Sequence, residues 1–156
     1  MQTEFEIITE GNIKRLPNGA IINRYCHVVK GAEIGENAMI GEHCYIAKGA
    51  VIGERTRIQN GVNVFSGVNI ADDCFIGPNV SFTNCHYPQT RYKRIKENEE
   101  FIPEKTTIGA CTVIGAAAVI VAPCVIGSNA LIGAGSVVLR DIKAKEKANG
   151  IVKGKK

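Results

Sequence analysis

The chain has 156 residues, 45% of them hydrophobic, with 17 glycines, no tryptophan and 6% aromatic residues; that suits one domain with a core of small and β-branched side chains, and argues against a helical bundle. The net charge is +4, but residues 140–156 carry seven Lys or Arg against Asp141 and Glu146, which leaves the rest at −1 and gives no support to a uniformly basic nucleic-acid-binding face. No apolar run approaches transmembrane length, and six cysteines without a CxxC pair fit a reduced, cytoplasmic compartment.

Residues 1–15 stand outside any repeat and are predicted to form a cap. Gln2-Thr3-Glu4-Phe5-Glu6 supplies neither the basic nor the apolar region of a secretory signal, so none is expected. From Leu16 an aliphatic or aromatic residue recurs at every sixth position: Leu16, Ile22, Val28, Ile34, Ile40, Ile46, Ile52, Ile58, Val64, Ile70, Ile76 and Phe82. The series restarts as Ile108, Ile114, Ile120, Ile126, Ile132 and Val138. Four places after each anchor stands a small or modest residue, such as Ala20, Cys26, Ala32, Thr56, Cys74, Ala118 and Ser136. One large and one small inward residue per hexad predicts a short strand and a tight corner. Glycine commonly follows the anchor, as at Gly35, Gly53 and Gly115, and is assigned to the sharp turn. Three hexads then close a triangular coil, giving an all-β parallel helix of about six coils, roughly 30 Å long. The helix is assigned to 16–142 and a basic tail to 143–156. Cys26, Cys44, Cys74 and Cys124 fall in the small inward slot and read as buried thiols.

Between Phe82 and Ile108 the chain spends twenty-six residues where six would suffice, so a loop at 83–107 must leave the rod. It opens Thr83-Asn84-Cys85-His86-Tyr87-Pro88-Gln89-Thr90-Arg91-Tyr92-Lys93-Arg94, a run of polar donors on a rigid scaffold.

The aliphatic-Gly-x-x-small-x pattern resembles that of the hexapeptide-repeat acyltransferases, and the left hand of the helix is taken from that resemblance. Gln59 to Val68, Ala71 to Pro78, Phe82-Thr83-Asn84 and Pro88 are similar to the nucleotide-sugar 3-N-acetyltransferases, as more faintly is Ile22 to Val28. The resemblance implies an acetyl-CoA-dependent N-acetyltransferase acting on a UDP- or dTDP-linked 3-amino sugar, in surface polysaccharide biosynthesis such as that of lipopolysaccharide. It also implies a homotrimer with active sites between subunits. Two features depart from the family: Gln89 stands where it usually has Arg, with Arg91 as the candidate replacement, and the C-terminal end is shorter and less regular.

Acyl transfer from a thioester needs an oriented nucleophile, donors for the developing oxyanion and an outlet for a proton. Asn84 matches the family residue set against the acceptor, where its amide can orient the attacking amine. His86 is a candidate base or proton acceptor. Arg91, Lys93 and Arg94 are candidate contacts to a diphosphate or sugar carboxylate. Gly115, Ala116, Gly133 and Ala134 resemble corners along which acetyl-CoA lies in the family. Alternatives stay open: an O-acetyltransferase of a sugar or small molecule using His86, a γ-carbonic-anhydrase-like metalloenzyme, or a non-catalytic scaffold. The metalloenzyme reading is disfavoured because His27, His43 and His86 lack a His-x4-His spacing, so no metal is expected. His27 and His43 are assigned to outward corners.

Overall fold

Every anchor from Leu16 to Val138 is buried, and so is each described residue four places after an anchor. In this computed structural model, which describes residues 2–4, 6–85, 88 and 101–154, the hexads wind into an all-β, left-handed parallel β-helix around one continuous core. Stacked isoleucines fill it, each contributing about 1.5–3 kcal/mol by leaving water.

The first face stacks Cys26–Val28, Tyr45–Ile46, Asn63–Val64, Ser81–Phe82, Val119–Ile120, Val137–Val138 and Ile151–Val152. The second stacks Glu33–Ile34, Val51–Ile52, Val68–Ile70, Thr106–Ile108 and Cys124–Ile126. The third runs from Ile21–Ile22 through Met39–Ile40, Arg57–Ile58, Phe75–Ile76, Val113–Ile114 and Leu131–Ile132 to Lys147–Ala148. Paired residues such as His27 and Tyr45 are eighteen positions apart, which is three hexads per coil. At the excursion the spacing becomes thirty-eight, Ser81 meeting Val119, so twenty extra residues leave the rod. The chain departs after Phe82 and returns at Thr106, two residues ahead of the next anchor, Ile108.

The corners correct the role assigned to glycine. The residue with left-handed backbone is the third after the anchor, for example Asn37 (φ 55°), His43 (φ 56°) and Asn79 (φ 57°). Ala38 N–H donates to Gly35 O (3.3 Å), closing a four-residue turn with Asn37 in its third position, the type II pattern. The glycine directly after the anchor lacks a Cβ for another reason: the next coil lies against it. A Cβ on Gly115 would stand 2.8 Å from Ala134 Cα.

At the N-terminal end, Ile7–Thr9 and Lys14–Arg15 pair antiparallel with Cys26–Val28 and Ile21–Ile22. At the other end the helix outruns its expected limit. Lys147–Ala148 and Ile151–Val152 add parallel rungs to the third and first faces, and Ile142 bridges to Ile126 on the second. Residues first read as a basic tail thus carry a seventh turn. Its inward residues, Ile142, Ala148 and Val152, follow Val138 at steps of four, six and four, which breaks the six-residue period. Arg140 and Glu146 pin this turn through Nη2 and Oε1 at 2.5 Å, and Lys143 N–H donates to Glu146 Oε2 (2.9 Å).

Candidate active site

The excursion leaves at the corner between the first and second faces. Phe82 anchors the chain in the core, Thr83 N–H donates to Ile120 O (3.0 Å), and Ala122 N–H donates to Thr83 Oγ1 (2.9 Å). Asn84, half-buried, is held on two sides: Glu104 N–H donates to its carbonyl (2.9 Å), and its Nδ2 donates to Ser66 O (3.5 Å). The returning strand is clasped by Thr106 N–H to Gly67 O (3.0 Å) and Cys124 N–H to Lys105 O (3.2 Å). Gly67 is required here, because its φ is 87° and a Cβ would sit 3.0 Å from Glu104 O. With Nδ2 donating to Ser66, Asn84 Oδ1 has no partner among the described residues.

The small-residue corners lie elsewhere. Gly115-Ala116-Ala117 and Gly133-Ala134-Gly135 join the third face to the first, one coil above the other. Further up the same column, Glu42 N–H is capped by Asn60 Oδ1 of the next coil (2.9 Å), and on another edge Glu54 N–H is capped by Asp72 Oδ1 (2.8 Å). Beneath Ala116 that slot holds Ala134, whose methyl cannot accept a hydrogen bond. The Ala116 N–H is therefore left uncapped among the described residues, on a strip with little side chain to keep a ligand off the backbone. Asn84 and this strip flank opposite edges of the first face, about 16 Å apart by strand rise, so one chain does not bring them together.

His86, Gln89, Arg91, Lys93 and Arg94 lie outside the described residues. His43 occupies a corner and stacks on Tyr25 with centroids 5.0 Å apart. His27 instead stands on the first face, bonded to Glu6 and edge-on to Tyr45 at 5.4 Å, a correction to the corner assigned to it. No group of three His, Cys, Asp or Glu with metal-binding geometry occurs among the described residues. The thiol nearest the excursion in the core, Cys124, is pushed up to about 11 by burial and, secondarily, by Asp141, which leaves it protonated and unsuited to attack. Ser66 and Thr83 lie in segments that resemble the family but were given no role, and Glu104 was not marked. Only Ser66 had a usable signal, since it shares the corner slot of Asn84 one coil earlier.

The sequence pattern of the family described as Bacterial transferase hexapeptide (six repeats) matches residues 15–48, 31–66 and 105–140. Among solved structures, the GDP-perosamine N-acetyltransferase of Caulobacter crescentus, in complex with CoA and GDP-perosamine, shares 21% identity at a TM-score of 0.70, over 87% of this chain and 57% of that one. The acetyltransferase domain of PglB from Neisseria gonorrhoeae shares 20% at 0.70, over 87% and 56%. A hexapeptide-repeat acetyltransferase of Vibrio cholerae complexed with acetyl coenzyme A shares 25% at 0.63, over 77% and 66%. The chain thus spans less than two thirds of each of these proteins. No curated protein sequence matches it.

Proposed function

This chain belongs to the bacterial hexapeptide transferases, and from that premise we propose that it is an acetyl-CoA-dependent N-acetyltransferase acting on the amino group of a nucleotide-linked 3-amino sugar. The observation that carries this reading is the place of Asn84, at the mouth of the excursion with its Nδ2 donating to Ser66 O (3.5 Å) and its Oδ1 without a partner among the described residues. Support comes from the bound CoA, acetyl-CoA and GDP-perosamine named for the structural neighbours.

In this mechanism Asn84 Oδ1 accepts a hydrogen bond from the sugar amine and aims its lone pair at the thioester carbonyl. The amine nitrogen bonds to that carbon, and the negative charge that develops on oxygen is met by a backbone donor, for which the uncapped Ala116 N–H is the candidate. Collapse of the tetrahedral intermediate breaks the carbon–sulfur bond and expels the CoA thiolate. The amine proton passes to His86 or to water. Arg91, Lys93 and Arg94 are set against the sugar, where they can meet a carboxylate, and acetyl-CoA lies along Gly115, Ala116, Gly133 and Ala134.

Because the acceptor and donor corners stand apart on one chain, a complete site takes Asn84 from one protomer and the small-residue corner from its neighbour, in a closed trimer. Mixing inactive Asn84→Ala chains with chains inactivated by Ala134→Trp tests this. Shared sites regenerate activity in mixed trimers, whereas no recovery after verified subunit exchange refutes them. A panel of UDP-, dTDP- and GDP-linked amino sugars with acetyl-CoA tests the reaction itself; transfer to none of them rejects the reading. His86→Ala then separates a base, lost with a changed pH profile, from a bystander.

A further inference from the structure

The corner slot that holds Asn84 is occupied in the three preceding coils by Ser66, Lys48 and Lys30, stacked at about 4.8 Å per rung. Lys48 is therefore about 10 Å, and Lys30 about 14 Å, up the rod from Asn84. Both lysines are exposed, and neither has an acidic partner among the described residues. The stem of Lys48 runs over Gly31, its Cγ lying 3.2 Å from where a Cβ would stand on that glycine. Beside this column, on the first face, Tyr45 and Phe65 meet with centroids 6.1 Å apart, and His27, tethered by Glu6, packs edge-on against Tyr45. Two cations next to an ordered aromatic strip, within three rungs of a candidate acceptor-orienting amide, match a nucleoside diphosphate in charge and shape. Lysine neutralises phosphate as a point charge, and an aromatic ring offers a purine or pyrimidine a face.

Resting on the reading that the acceptor is nucleotide-linked, we infer that its nucleoside diphosphate runs up the N-terminal coils from Asn84, with the phosphates at Lys48 and Lys30 and the base against Tyr45 and Phe65. This direction leaves the opposite end of the rod, with Gly115 and Gly133, to the acyl donor, so the two substrates approach from opposite ends. It also makes the diphosphate handle, rather than the sugar ring alone, a source of acceptor affinity.

Steady-state kinetics on the full chain with a nucleoside-diphosphate amino sugar test this, using Lys48→Gln, which keeps most of the stem, and Tyr45→Ala. Each is expected to raise the KM for the nucleotide sugar about tenfold, with kcat within about twofold and the KM for acetyl-CoA unchanged. Lys48→Arg retains affinity. Unaltered acceptor KM in both variants, or equal turnover of the free amino sugar, overturns the inference while leaving the acetyltransferase reading intact. If the wild-type protein acetylates no nucleotide-linked sugar, that reading fails, and calorimetry with UDP, GDP and dTDP alone still decides the site. Binding by the wild-type chain that weakens about tenfold in Lys48→Gln sustains it, and absence of binding rejects it.

Discussion

The coils from Leu16 to Phe82 and the corner where the chain leaves them are made from the same hexad, yet they are held differently. In the coils each inward residue rests on its counterparts eighteen positions away, as Ile40 does between Ile22 and Ile58. At the excursion the partner eighteen positions on is gone, and the chain is fixed instead by a few hydrogen bonds, Thr83 to Ile120 and Ala122, Asn84 to Ser66, and Glu104 N–H to Asn84 O. Redundant packing makes the wall tolerant of function but intolerant of lost volume. The corner has the reverse character, since it contributes little to stability and presents groups that nothing in the repeat uses.

Perturbing the wall should therefore cost stability and not chemistry. Ile76→Ala empties a fully buried site and is expected to destabilise by about 2–5 kcal/mol. Denaturant unfolding measures that, while kcat per folded molecule stays within about twofold. A large fall in kcat with unchanged stability would break the comparison. Asn84→Ala should do the opposite, lowering kcat about 10²-fold with the unfolding midpoint unmoved, because its side chain makes one long contact, 3.5 Å to Ser66 O.

Gly115→Ala probes a place where both demands meet. The new methyl would press on Ala134 Cα at 2.8 Å and Gly133 C at 2.9 Å, both backbone, and should cost about 1–3 kcal/mol. It should also raise the KM for acetyl-CoA if the donor lies on that strip. Gly135→Asn is the sharpening control. Its φ of 67° suits asparagine and no atom lies within 4 Å, so stability should change by less than about 1 kcal/mol.

The wall was legible in the sequence because one side-chain size per slot, repeated at six, is both the pattern and the packing. The corner turn was legible too but was attached to the wrong residue. Gly19, Gly31, Asn37, Gly49, Gly61, Asp73, Asn79 and Asn129 all stand third after an anchor, the types that tolerate left-handed backbone, whereas the glycine after the anchor answers to a neighbouring coil that no local pattern reveals. Asn84 was marked by resemblance alone. Its support at Glu104 comes from a contact across twenty positions with no periodic spacing and left no trace, whereas Ser66, eighteen positions before Asn84, is in register with it but carries no distinctive residue type. The seventh turn escaped because Ile142, Ala148 and Val152 abandon the six-residue step.

That last turn offers the smallest and most local test, since it is held by ionic contacts where the earlier coils rely on packing. Glu146 is lowered to about 2, first by the hydrogen bond from Arg140 and then by Lys143 N–H. A carboxyl that titrates lower when folded contributes stability that is complete above the ordinary glutamate range and is lost as pH falls from there through about 2. The pair is partly open to solvent, at 34% and 25% side-chain exposure, so the loss should loosen this turn alone and leave the rod folded. The reporters are amides one coil earlier, because Leu131 and Gly133 donate to Glu146 O and Ala148 O. Their hydrogen exchange, corrected for intrinsic rate, should accelerate between about pH 5 and pH 3 while that of Val113 and Gly115 stays unchanged. Glu146→Gln should abolish the pH dependence and leave both amides at the faster rate. Equal protection at the two pH values would show that Ala148 and Val152 hold the turn by packing, as the anchors do in the rest of the wall.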